Sequence, residues 1–410
     1  MLSEETGGKI KFSFEQRGRF EDRGGQAFGK DPDRAAGYLR TRLGVALKPS
    51  KWVKFSAMMQ DGRAPYYGAG APNTVRDQAD LQEAYVEVLG DAKTGPGLSV
   101  GRRMMNYGDA RLLGSPQWSY LSRTFDHARL WYRSPRAQVE FLFVSPVKTR
   151  LGEFNKPVLG ERVWGVYNVF PEVVGKNLLE VYVLRHGQNR PAGFKGGAGA
   201  DGTDRLEVNA FGGRLAGPLA KTWKYTLELV VQTGSIGPAA HRAQAAALAL
   251  SRKTRAGGKP LELTGEYKYA SGSDDPNDPR RVSTFDQMFP ANHDKFGHMD
   301  LFGWKNMHNA RGLAVCGVTK PFALNVMYNS TWLANPRDAL YSSAGKSIAR
   351  SAAGTAGRHA GQEADVFLTY KFAHFLFGAG YGHLFAGGFI RKATKGVSPD
   401  YAYVFYTYSF

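Results

Sequence analysis

Alternation constrains this chain more than any other feature. Between Lys9 and Glu21, Ile10, Phe12, Phe14 and Phe20 fall on one side of an extended backbone, and Lys11, Ser13, Glu15, Arg17 and Arg19 on the other. Leu39, Leu43, Val45 and Leu47 alternate with Tyr38, Arg40 and Arg42. Trp223, Tyr225, Leu227, Leu229 and Val231 alternate with Lys224, Thr226, Glu228 and Gln232; Leu324, Val326, Tyr328 and Trp332 alternate with Asn325, Asn329 and Thr331. A period of two held over about ten residues marks strands with one apolar and one polar face. No segment of comparable length has a period of 3.6, and no run approaches the roughly 18 apolar residues of a membrane-spanning helix.

The links between strands alternate in length. Short ones fall at 48–51, 90–97, 134–136, 170–176, 217–221, 251–259, 320–321 and 373–374. Longer, polar, Gly- and Pro-rich ones fall at 22–35, 61–79, 104–124, 145–160, 187–204, 271–309, 333–360 and 390–399, with a brief one at 233–239. Eight short and nine longer links predict an all-β chain of 18 antiparallel strands, one domain over residues 1–410. Short turns at one end and long loops at the other are the asymmetry of a bacterial outer-membrane barrel. That reading puts both termini in the periplasm, with residues 1–8 as a short tail. The polar stretch from Met1 to Lys11 contains no signal peptide, so the expectation is a leader already removed. The last strand presents Ala402, Val404, Tyr406, Tyr408 and Phe410 on one face. Such a terminal aromatic strand resembles the signal read by the barrel-assembly machinery. The mean hydropathy of −0.38 fits a barrel, because lipid-facing and lumen-facing residues average out. A soluble β-sandwich would need shorter strands and no regular side-to-side alternation of loop length.

If apolar faces meet lipid, the charged faces line a pore. A charge held against lipid at the midplane costs about 2–4 kcal/mol, so these residues belong inside or near the interface. With 54 Lys and Arg against 36 Asp and Glu, the net charge is +18, and a basic lumen favours anions. The candidate pore-lining residues are Arg17, Arg40, Arg42, Arg102, Arg129, Glu363 and Asp365. The loops expected to narrow the pore are 61–79, 104–124 and 271–309, which are long and of mixed charge.

Three ordered blocks carry a family resemblance. Gly101-Arg102-Arg103 runs into Tyr107-Gly108-Asp109-Ala110-Arg111, then Trp118, then Arg123-Thr124-Phe125-Asp126. Thr284-Phe285-Asp286-Gln287-Met288-Phe289-Pro290 is followed by His293, Gly297 and Asp300. Gly361-Gln362-Glu363-Ala364-Asp365 precedes Gly380-Tyr381-Gly382-His383. Together they resemble the alginate export family of outer-membrane barrels, from about residue 9 to the C-terminus. The resemblance implies a monomeric 18-stranded barrel surrounded by outer-membrane lipid and lipopolysaccharide. It also implies a conduit for an acidic polysaccharide, one carboxylate per sugar, which Arg can meet with paired hydrogen bonds. The motif residues Tyr107, Gly108, Asp109, Arg111, Asp126, Asp286, His293 and Asp300 are read as shaping loops. In this reading Asp109 and Asp126 pair with Arg111 and Arg123.

Other chemistries find less support. The acidic loop 271–279 holds Asp274, Asp275 and Asp278, whose oxygens could bind calcium, but it lacks the order of an EF-hand. His293, His298 and His308 match no standard metal-ligand spacing. The single Cys316 excludes an intrachain disulfide and any Cys-based zinc or iron–sulfur site. No Gly-x-Ser-x-Gly elbow is present, so no enzyme is expected. Basic residues interleave with apolar ones along the chain and do not cluster in a patch, which argues against nucleic-acid binding. Two rival readings share the fold: a porin for small organic anions, and a loop-plugged scaffold or receptor in an envelope assembly.

Overall fold

A computed structural model describes residues 9–67, 71–189, 205–293 and 295–410. The proposed tail at 1–8 lies outside them. Eighteen strands form one closed antiparallel barrel. The first six are β1 (Ile10–Gly24), β2 (Arg34–Leu47), β3 (Val53–Arg63), β4 (Asp77–Val88), β5 (Gly95–Arg103) and β6 (Phe125–Arg133). Next come β7 (Gln138–Lys148), β8 (Glu161–Val174), β9 (Asn177–Asn189), β10 (Arg205–Ala220), β11 (Trp223–Ile236) and β12 (Ala239–Ala256). The last six are β13 (Lys259–Ala270), β14 (Met307–Gly317), β15 (Phe322–Leu333), β16 (His359–Phe372), β17 (Phe375–Ala386) and β18 (Asp400–Ser409). Each strand pairs with its sequence neighbour, and β1 closes on β18 from Glu15–Ser409 to Gly24–Asp400. Closure leaves no edge, so every strand backbone finds partners without water.

The alternation is realised as lipid-facing and lumen-facing sides. Leu43, Phe141, Val231, Val326 and Val404 are exposed on the outside, while Arg42, Glu140, Gln232, Asn325 and Tyr403 are buried within. No helix among the described residues is long and apolar enough to cross a membrane; the strands make the crossing. Among the described residues, helical structure is confined to the long-loop end, as a turn at Gln26–Gly29 and a short helix at Gly388–Ala393.

The strand count agrees with the sequence, but several boundaries move. β8, β10 and β12 run on through residues read as turns and reverse only at 175–176, 221–222 and 257–258. Pro171 and Pro218 sit inside strands. The expected brief loop at 233–239 is a two-residue turn at 237–238, because β11 and β12 pair up to Ile236 and Ala239.

Candidate functional site

Two long loops fold into the lumen. The first, 104–124, crosses it like a strut. Its motif end is fixed to a wall of carboxylates on β7, β9 and β11. Tyr107 donates its hydroxyl to Glu140 and packs on Tyr167 at 4.9 Å, which stacks on Tyr182. Asp109 meets Arg214 at 2.7 Å, and Arg214 also holds Glu180 at 2.5 Å. Arg111 lies 3.6 Å from Glu228. Gly108 turns with φ +53°, and a Cβ there would press on the Tyr167 hydroxyl at 3.0 Å. Backbone conformation and close approach both call for glycine.

The far end of this loop lies against β1 and β2. That wall carries Arg17, Arg19, Arg23, Arg40 and Arg42 but only two inward carboxylates, Glu15 and Glu21. The remaining guanidinium capacity goes to loop oxygens. Arg17 donates to the Gln117 carbonyl at 2.9 Å, Arg19 to Trp118 at 2.7 Å, and Arg40 to Ser119 at 3.0 Å. Arg42 donates to Gln60 at 2.8 Å and to the Ser122 hydroxyl at 2.9 Å. Trp118 lies under Arg19, 4.3 Å from guanidinium carbon to ring centre. Tyr120 donates to Glu21, and burial pushes its hydroxyl pKa well up. The arginine wall is thus strapped over by residues 117–122.

The second loop, 271–306, is zipped to the first. Leu113 and Phe289 form a parallel bridge; Gly114 N–H donates to Phe289, Phe289 N–H to Leu112, and Ala291 N–H to Ala110, at 2.8–2.9 Å. Arg123 is buried at this junction and donates to the carbonyls of Gly114 and Pro290, each at 3.0 Å. Burial pushes its pKa down to about 10. Asp286 docks on His186 of β9 at 2.6 Å, and Gln232 exchanges two hydrogen bonds with its backbone. Burial works against the Asp286 carboxylate, but the His186 ring holds its pKa well below the usual range. At the other wall, Met299 N–H donates to Glu363 at 2.9 Å and His298 N–H reaches toward Asp365 at 3.4 Å. Gly297, at φ +123°, leaves no room for a Cβ beside the Glu363 carboxylate. His298 stacks on Phe367 at 4.4 Å and meets the Tyr403 hydroxyl at 2.5 Å. Burial, with His293 adjacent, pushes the His298 pKa down to about 3. His293 meets Asp300 at 2.8 Å and stacks on Trp118 at 4.6 Å, which links the loops a second time. Above the junction opens a cavity of about 540 Å³ lined by Arg19, Arg23, Trp118, Arg123, His293 and Asp300 among others.

The structure brings Arg17, Arg40 and Arg42 together on one wall. Arg102 and Arg129 lie elsewhere, each gripped by two oxygens of one carboxylate, Asp126 and Glu140 respectively. Glu363 and Asp365 share the inner face of β16 under residues 297–300. The expected local pairs are corrected. Asp109 takes Arg214, Asp126 takes Arg102, Arg111 approaches Glu228, and Arg123 takes carbonyls. Asp126 is captured by the arginine that the sheet brings opposite it, and Asp109 by one on the wall against which its loop docks. Arg23, His186 and Arg214 went unread; only their inward parity on β1, β9 and β10 marks them. In the acidic loop, Asp275 accepts from Asn277 N–H and Asp278 from Arg280 N–H, as turn caps. His308 turns away from the other two histidines to Tyr267, at 2.6 Å. Among the described residues no three His, Cys, Asp or Glu side chains converge as a metal cluster.

The alginate export family model matches residues 9–404, nearly the full barrel. The chain belongs to the alginate export family. A comparison with curated proteins finds no significant match. Solved structures share the fold at low identity. The outer membrane protein OpdK from Pseudomonas aeruginosa is 12% identical, with TM-score 0.64 over 98% of each chain. OccK2 (OpdF) from the same organism, solved in complex with glucuronate, is 10% identical, with TM-score 0.64 over 98% of each chain. OccAB2 from Acinetobacter baumannii is 9% identical, with TM-score 0.66 over 98% of each chain. This member of the alginate export family is an outer-membrane channel barrel with porin-like architecture.

Proposed function

We propose that this barrel is a passive, anion-favouring conduit for carboxylated saccharide, with an acidic polysaccharide of the alginate type as its cargo. The observation that carries the reading is the β1–β2 wall, where five arginines face two carboxylates and four of them, Arg17, Arg19, Arg23 and Arg40, rest against loop carbonyls. A carbonyl is a neutral acceptor. A uronate carboxylate offers a charge-assisted, two-pronged bond roughly twice as strong, so it competes well for the same guanidiniums. Arginines spaced along the wall allow hand-over from site to site without a deep trap. The short turns are assigned to the periplasm by the usual asymmetry of such barrels.

The test is conductance and reversal potential of the refolded barrel in a planar bilayer under a salt gradient, with oligouronate added. Anion selectivity and current block are expected. Arg40→Ala with Arg42→Ala should weaken the block by about tenfold, the equivalent of one charge-assisted bond near 1.4 kcal/mol. Cation selectivity, or no block in the parent protein, would sink the proposal.

One observation favours a second reading. The cavity of about 540 Å³ above the zipped loops has the size of a small-ligand site. A neighbour of this fold was solved with glucuronate. A channel for single uronic acids or similar small anions would fit that space without moving the loops. Flux of polymer against monomer through liposomes separates the two.

A further inference from the structure

The outer face of β12 carries polar side chains where lipid is expected. Ala239, His241, Ala243 and Ala245 are buried inward, so Arg242 and Gln244 point out and are exposed. The short extended segment Arg281–Val282 pairs in parallel with Ala240–His241 and extends the wall above the end of β13. That register puts Arg281 on the outer face as well, beside Ala240. Here opens a groove of about 830 Å³, lined by Thr233, Arg242, Gln244, Tyr269 and Arg281 among others. Asp274 is the one carboxylate among its described lining residues. Arg281 donates to the Ser283 hydroxyl at 3.0 Å, and Arg242 has no ion pair among the described residues. Another outward arginine of the same end differs: Arg63, beside Leu39, is clasped by both oxygens of Asp61 at 2.7 Å.

An outward guanidinium is costly at the midplane of a membrane and tolerated at its interface, so depth decides what it meets. Arg252 is also outward, over Trp223 at 5.3 Å, ten residues further along β12. At about 3.4 Å per residue and a tilt near 40°, the two arginines lie about 25 Å apart along the membrane normal, the height of the apolar band. Ala246, Leu248 and Leu250 occupy the outer face between them. Arg242 therefore stands at the headgroup level of one leaflet and Arg252 at that of the other. With the long loops outside, by the usual asymmetry, the groove belongs to the outer leaflet.

We infer that this groove is a docking site for the phosphorylated sugar head of lipopolysaccharide. A guanidinium meets a phosphate with two parallel hydrogen bonds, and Arg242 and Arg281 present two guanidiniums on adjoining segments. Thr233 and Gln244 add a hydroxyl and an amide for the sugar. Below them Leu229, Val231 and Leu248 are about half exposed, an apolar bed for acyl chains. A free phosphate ion or a phospholipid offers the same anion; the glycolipid alone matches phosphate, sugar and chains together. The site needs only the outer-membrane barrel and is independent of what passes through the lumen.

The experiment uses the full-length barrel in a neutral detergent, with retained lipid counted by native mass spectrometry. The probes are bisphosphorylated lipid A, its dephosphorylated form, phosphatidylglycerol and inorganic phosphate. Bisphosphorylated lipid A should be retained at concentrations on the order of tenfold below either other lipid. Arg242→Ala with Arg281→Ala should erase that preference, and Arg252→Ala, at the opposite interface, should keep it. Arg242→Lys, which retains the charge but loses the fork, should weaken retention by roughly threefold and guards against a double variant that fails to fold. Potassium chloride conductance within about twofold of the parent identifies folded variants. A preference that survives the double variant, or equal retention of phosphatidylglycerol, would overturn the inference and leave an ordinary lipid contact. Inorganic phosphate held in place of lipid A at equal concentration would overturn it too, making the groove a free-anion site.

Discussion

Toward the long loops, inward side chains hold backbone. Arg17, Arg19 and Arg40 grip carbonyls of 117–119, and Glu363 grips an N–H of the second loop. Toward the short turns, inward lysines such as Lys11, Lys224 and Lys371 are exposed among the described residues. Similar residue types, on the same strands, do different work because one end of the barrel has chain to spare and the other does not.

The strongest way to break this contrast is to remove the strut. Replacing residues 112–120 with a short Gly-Ser link should free the arginine wall and raise single-channel conductance several-fold. Unchanged conductance would mean that the loop does not restrict the pore. A smaller effect sharpens the loop side. Neutral His298 is held by stacking and by Tyr403, with its pKa pushed down to about 3. An unfolded chain titrates this residue near 6.5, so between those values the unfolded state binds more protons. The stabilisation is complete above about pH 6.5 and is lost as pH falls toward 3, with a slope of at most about 1.4 kcal/mol per pH unit. His298→Phe should flatten that part of the melting-temperature profile. The smallest change belongs to the turn side, where Lys48 and Asp91 form an exposed pair. Lys48→Ala should cost under about 0.5 kcal/mol in a denaturant titration; a larger loss would show that the turns are structurally bound after all.

The wall was legible in the sequence and the loop docking was not. Parity alone puts Arg40 and Arg42 inside with Tyr38, because one step of slip would turn all three into lipid. Length and mixed charge mark 61–79, 104–124 and 271–309 as the loops expected to narrow the pore, and the second and third lie against the inner wall. Partner choice is another matter. Asp109 and Arg214 are separated by 105 residues, and Asp286 and His186 by 100. Their meeting depends on the curvature of a closed sheet, which no local spacing encodes. The strand ends moved as well: the links read at 170–176, 217–221 and 251–259 are largely strand, and β8, β10 and β12 reverse only at 175–176, 221–222 and 257–258.

The seam between β1 and β18 has a consequence for how the molecule comes into being. The earliest barrel strand is completed only by the latest, across the register from Glu15–Ser409 to Gly24–Asp400. Until β18 (Asp400–Ser409) is in place, β1 and β17 are both bare edges, the kind of surface that recruits other strands. Such a protein has no half-built form that keeps part of its function. A nonsense codon just upstream of Asp400 would yield an open curtain of seventeen strands, and quality control rather than transport would decide its fate.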